Sequence, residues 1–151
     1  MLPMIKKECM LFELDAANKA DAISQMVAAF DQQGYLNDKE LFHKDVLERE
    51  KVFPTYIDYE IGLPHGKSDG VEQAGICIAR LNEEIVWDEE AGETVNFIVM
   101  IAVNKENGND LHLQVLSKLS RLLMHEDFRE IIKTGAVDEV FDTLVEKLEV
   151  A

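Results

Sequence analysis

Three residues have side chains suited to handling a phosphoryl group: His65, His112 and Arg49. An imidazole is partly neutral at physiological pH, so one ring nitrogen can attack an electrophile and carry it as a covalent adduct. His65 lies in the stretch Ile61-Gly62-Leu63-Pro64-His65-Gly66-Lys67-Ser68-Asp69. Pro64 fixes its own φ and has no N–H, and Gly66 has access to backbone conformations closed to other residues. His65 is therefore expected where the chain leaves regular structure and turns sharply, at the end of a strand. On local sequence alone, a loop with an ordinary surface histidine is the stronger reading. His112 falls in the first turn of a helix, near unpaired backbone N–H groups that favour anions; the competing reading is a satisfied core histidine. Arg49 is either a surface charge at a helix end or a planar clamp for phosphoryl oxygens. Linear spacing does not bring the three together.

The elements that must position them follow from periodicity. Met10–Leu14 reads as a first strand. Ala20, Ile23, Met26, Val27 and Phe30 recur at helical spacing, with Gly34 as a stop. A second helix opens at Asn37-Asp38, turns Leu41, Phe42, Val46 and Leu47 inward, reaches Arg49-Glu50 and is broken by Pro54. Lys51 to Glu60 has no clean pattern. Gly75–Leu81 and Thr94–Val103 read as strands, the second so continuously apolar that both faces should be buried, and Ile85-Val86-Trp87 as a short edge strand between them. A helix after Asp110 aligns His112, Val115, Leu116, Leu119, Leu122 and Leu123. A short helix spans Asp127–Thr134, and a last one from about Asp138 turns Val140, Phe141, Leu144, Val145 and Leu148 inward. Between Gly75–Leu81 and Thr94–Val103 there is no room for a crossover helix, so some strand pairs must be antiparallel. The expected class is α/β, a mixed central sheet covered by helices on both faces.

The 151 residues amount to a single domain, 1–151, able to bury one core without disulfide or metal. Cys9 and Cys77 each sit in a strand-like apolar run and read as reduced core residues. The charge of −15, from 30 acidic and 15 basic residues, repels nucleic acid and anionic membrane surfaces. No apolar run is long enough to span a bilayer and the N-terminus does not resemble a signal peptide, so a cytoplasmic protein is expected. The sequence contains no phosphate-binding glycine loop, dinucleotide fingerprint, Cys-x-x-Cys or Gly-x-Ser-x-Gly elbow. His43 and His125 read as surface or packing residues.

The segments Arg49-Glu50-Lys51-Val52-Phe53-Pro54-Thr55, Ile61 to Asp69, and Asp110 to Leu123 resemble, in order and approximate spacing, the landmark motifs of one family. These are the enzyme IIA domains of the bacterial phosphoenolpyruvate-dependent sugar phosphotransferase system, fructose/mannitol type, and the resemblance covers nearly the whole chain. Two departures stand out. Tyr56-Ile57-Asp58-Tyr59-Glu60 replaces a glycine-rich stretch, and Gly62-Leu63 replaces an alanine-isoleucine pair. Phe53-Pro54-Thr55 is more like the galactitol branch, and Pro64 to Asp69 more like the fructose branch.

The resemblance implies that His65 accepts a phosphoryl group from the carrier protein HPr and passes it to a IIB component of a sugar permease. His112 and Arg49 would complete the site, with no metal or other cofactor. Two rivals use the same residues. One is a regulatory module whose phosphorylation state controls a protein partner, as in nitrogen-type IIA relatives. The other is a metal site of His65, His112 and Asp69.

Overall fold

The computed structural model describes residues 2–106 and 109–148, with the side chains of residues 109–112 outside the description. In chain order the elements are β1 (Ile5–Leu14), α1 (Lys19–Gln32), α2 (Lys39–Val52), β2 (Tyr56–Ile57), β3 (Ile61–Gly62), β4 (His65–Ser68), β5 (Gly75–Asp88), β6 (Glu93–Asn104), α3 (Asn109–Leu122), α4 (Glu126–Thr134) and α5 (Val137–Leu148).

The strands form one mixed sheet in the order β1-β5-β6-β3-β2, with β4 also paired to β6. β1 runs parallel to β5, and β5 and β6 are an antiparallel pair, as the short interval between them requires. β6 is unbroken apolar chain from Phe97 to Val103 because successive side chains there enter different cores. Ile98, Met100 and Ala102 pack beneath α1 and α2. Phe97, Val99, Ile101 and Val103 pack beneath α3, α4 and α5. The α1–α2 layer fixes the site. α1 is capped by the Asn18 side chain, which accepts from the Asp21 amide at 2.9 Å. α2 is capped by Asp38, which accepts from the Leu41 amide at 3.1 Å. Gly34, at φ +85°, ends α1 in the left-handed region. Cys9 and Cys77 are buried free thiols.

Several expectations are corrected. Ile85–Trp87 is no separate edge strand but the far end of the 14-residue β5. A register shift between Arg80 and Ile85 interrupts the alternation and exposes Asn82, Glu83 and Glu84, which imitates a turn in sequence. In α1 the inward residue is Ala22, and Ala20 is exposed. Val145 of α5 faces solvent. The unassigned Lys51–Glu60 segment finishes α2 and then forms the small antiparallel β2–β3 hairpin, with Tyr56 opposite Gly62 and Ile57 opposite Ile61. The hairpin's turn places Tyr59 and Glu60 at φ +74° and +63°.

Candidate functional site

His65 opens β4, yet the chain does not turn sharply there. β3 and β4 run along the same edge of β6 in unbroken register: Ile61 faces Phe97, Gly62 faces Ile98, His65 faces Ile101 and Gly66 faces Ala102. Pro64 interrupts the ladder only because it lacks an N–H, while its carbonyl still accepts from the Ile101 amide at 3.1 Å. Gly66 is likewise not a turn residue. A Cβ there would lie 3.1 Å from Val46 Cγ2 and 3.4 Å from Phe42 Cε1, so glycine is what lets α2 press onto β4 beside the histidine.

The half-buried imidazole is oriented by its own backbone. Its Nδ1 lies 2.9 Å from the Leu63 carbonyl oxygen. A carbonyl only accepts, so Nδ1 carries the proton and the neutral ring keeps its lone pair on Nε2.

α2 supplies the flanking groups. Asp45 and Arg49, four residues apart and so on one helix face, line with His65, Gly66 and Lys67 a cavity of about 230 Å³. Arg49 Nη1 donates to the Phe53 carbonyl at 3.1 Å, which ties the guanidinium to the end of its own helix. Asp45 accepts from the buried Ser68 hydroxyl at 2.6 Å, and Ser68 Oγ in turn accepts from the Gly70 amide at 3.0 Å, anchoring the far end of β4. Two cationic side chains therefore border the histidine in a chain whose net charge is −15.

The structure brings Arg49 to His65, an approach that linear spacing left open. His112 is in the first turn of α3, but its side chain lies outside the described residues. The metal reading therefore falls partly outside them too; among the described residues no three His, Cys, Asp or Glu side chains are grouped as metal ligands. His43 is half-buried in α2, and His125, just before α4, is exposed.

Sequence reasoning missed the groups behind the histidine. Thr55 Oγ1 lies 2.9 Å from the same Leu63 carbonyl and also donates to Glu50. Glu50 is 5% exposed and pairs with Lys19 Nζ at 2.8 Å. A carboxylate beside Arg49 at the end of a charged helix reads as a solvated surface pair, and Thr55 registered only as a marker of subtype.

Fold and site together place a half-buried histidine and an arginine on one cavity at the edge of a helix-covered mixed sheet. Residues 3–147 match the family "Phosphoenolpyruvate-dependent sugar phosphotransferase system, EIIA 2", and the chain belongs to it. It is 35% identical over 143 residues to the fructose-specific EIIA component of the phosphotransferase system of Haloferax volcanii, covering 94% of this chain and 92% of that one. It spans much less of some longer curated relatives, 17% of one and 22% of another. Among solved structures, the nitrogen regulatory protein IIA-Ntr of Neisseria meningitidis superposes with a TM-score of 0.83 at 25% identity, covering 93% of this chain and 96% of that one. The complex of enzyme IIA mannitol with phosphorylated enzyme IIB mannitol from Escherichia coli gives 0.78 at 27% identity, covering 94% and 99%. No described helix is long and apolar enough to cross a membrane.

Proposed function

We propose that this protein is the phosphocarrier of a fructose/mannitol-type sugar phosphotransferase system, working in the cytoplasm as one domain with His65 as the residue modified in each cycle. The observation that carries the reading is the 2.9 Å bond from His65 Nδ1 to the Leu63 carbonyl, with Arg49 lining the same cavity.

In the first step the Nε2 lone pair attacks the phosphorus of a phosphohistidine on HPr. The donor's P–N bond breaks, its electron pair returns to the donor ring, and the proton of His65 stays on Nδ1, hydrogen-bonded to the Leu63 carbonyl. In the second step a nucleophile on a IIB component attacks the same phosphorus, and the P–Nε2 bond breaks with its pair returning to Nε2. The transition state spreads negative charge over three equatorial oxygens, so prepositioned donors matter more than an acid or base. Arg49 and His112 fill that role, and neither step draws on a metal or nucleotide. Val52 and Phe53, 83% and 67% exposed beside Arg49, offer an apolar rim for a docking protein. The IIB acceptor is supported by the similarity to the mannitol IIA complex.

The test is incubation with phosphoenolpyruvate, enzyme I and HPr. The wild type should acquire acid-labile label and His65→Ala none; full labelling of His65→Ala would overturn the assignment. The likeness to IIA-Ntr favours a second reading, in which the same phosphohistidine sets the affinity for a regulated protein. Transfer of label from phospho-His65 to a sugar-system IIB supports transport, whereas no transfer to any such IIB, together with a regulator that binds only one form, supports regulation.

A further inference from the structure

Glu50 is the one buried charged residue among the described residues. Its carboxylate is held between two partners. Lys19 Nζ lies 2.8 Å from Oε1, above the Trp87 ring at 4.4 Å from the centroid and 3.2 Å from the Trp87 carbonyl. On the other side the Thr55 amide donates to both carboxylate oxygens, at 3.1 and 3.3 Å, and the Thr55 hydroxyl donates to Oε2. The Thr55 carbonyl is doubly occupied as well, accepting from the Leu63 amide at 2.9 Å and from Trp87 Nε1 at 2.8 Å. Every polar group of Thr55 is thus tied either to this buried pair or to Leu63, whose carbonyl is the acceptor for His65 Nδ1.

Burying a carboxylate is costly unless it is paired and hydrogen-bonded. Here it is both, and its bonds converge on the backbone behind the histidine. The Thr55 hydroxyl has one proton and two acceptors within reach, Glu50 Oε2 and the Leu63 oxygen. An ionised carboxylate is the stronger acceptor, so the proton goes to Glu50 and leaves the Leu63 oxygen to Nδ1–H.

We propose that Glu50 is a positioning residue for His65, acting through Thr55: by claiming the Thr55 hydroxyl proton, Glu50 leaves the Leu63 carbonyl undivided for Nδ1–H, which strengthens that bond and favours the Nδ1–H tautomer with Nε2 as nucleophile. The same carbonyl stabilises the positive charge that develops on the ring as Nε2 bonds to phosphorus. The rate-related part of this inference rests on His65 being the phosphoryl carrier; the tautomer part does not. Replacing Glu50 by glutamine puts an N–H₂ donor where an acceptor stood. The Thr55 hydroxyl then turns to the Leu63 oxygen and, by sharing that acceptor, weakens its bond to Nδ1–H.

The experiment measures ring-nitrogen NMR shifts of protein labelled with ¹⁵N-histidine, together with transfer rates from phospho-HPr. In the wild type His65 should show a protonated Nδ1 and a pyridine-like Nε2. Glu50→Gln should raise the Nε2–H fraction and lower the maximal transfer rate by about ten-fold with little change in KM, whereas Thr55→Val, which removes the hydroxyl, should keep the wild-type tautomer, and Glu50→Gln/Thr55→Val should restore it. Thermal melts establish that each variant is folded; if Glu50→Gln does not fold, Lys19→Met/Glu50→Gln, which places the same amide beside Thr55 without an unpaired lysine, carries the test. Wild-type tautomer populations in the folded glutamine variant would overturn the proposal. Absence of label on wild-type His65 would instead overturn the phosphocarrier reading, with the tautomer result still standing.

Discussion

As the proposed carrier, His65 needs a nucleophilic nitrogen and donors ready for the phosphoryl oxygens. The Leu63 carbonyl, 2.9 Å from Nδ1, serves the first by holding the proton on that nitrogen. Arg49 is proposed to provide part of the second. Because its Nη1 is already anchored to the Phe53 carbonyl, little side-chain entropy is left to lose when the oxygens arrive. Arg49→Gln is expected to slow transfer by about 10²-fold, the order seen when a preorganised transition-state donor is lost, with the fold intact. Single-turnover kinetics with phospho-HPr would measure it, and a rate within two-fold of wild type would remove Arg49 from the site. His65 and Arg49 were singled out in the sequence through the resemblance of their motifs, and the structure puts both on the lining of one cavity. Glu50, Thr55 and Lys19 were not, because their roles depend on burial and on bonds between α2, β5 and the segment joining α2 to β2, none of which leaves a periodic trace.

At the level of elements, the Pro64-His65-Gly66 segment was legible as special, though the reason differs from the one its residues suggest. Pro64 and Gly66 look like a turn. In the structure the first spares a ladder bond and the second lets Val46 approach, so that the histidine stays on a strand braced by α2. A rigid strand holds a reactive ring more accurately than a loop does. The β2–β3 hairpin is the opposite case, since Tyr59 and Glu60 occupy left-handed conformations without being glycines. Part of that strain is offset by α4: Arg129 stacks on the Tyr59 ring at 3.5 Å, and Lys133 donates to the Tyr59 carbonyl. Glu60 has less support from its side chain, a 3.2 Å contact with Asn96 Nδ2. Glu60→Gly should therefore stabilise the protein by about 0.5–1 kcal/mol, seen as a higher midpoint in urea at unchanged slope. A lower midpoint would show that the backbone at this turn is not strained.

At the scale of the whole molecule, the mixed sheet with helices on both faces could be inferred from two observations: the unbroken apolar run of β6 and the interval before it, too short for a crossover. The path of β5 could not, because its register shift presents a polar break in mid-strand. The two cores also set how stability responds to pH. Tyr35 is 1% exposed, its hydroxyl donates to the Pro3 carbonyl, and burial pushes its pKa from 10 up to about 12. The folded state therefore holds this proton more tightly than the unfolded chain. The contribution is fully present below pH 10 and is lost as pH rises from 10 towards 12. Stability measured by urea titration should fall across that window by a larger amount in the wild type than in Tyr35→Phe, and equal slopes would contradict the assignment.

His65 Nε2, held ready by the Leu63 carbonyl, is the atom proposed to carry phosphorus. The most direct measurement is NMR of ¹⁵N-histidine-labelled protein, before and after phosphorylation by phosphoenolpyruvate, enzyme I and HPr. The expected result is a phosphorus–nitrogen coupling at Nε2 of His65, with Nδ1 still protonated. Phosphorus on Nδ1 of His65, or on another residue, would contradict the account.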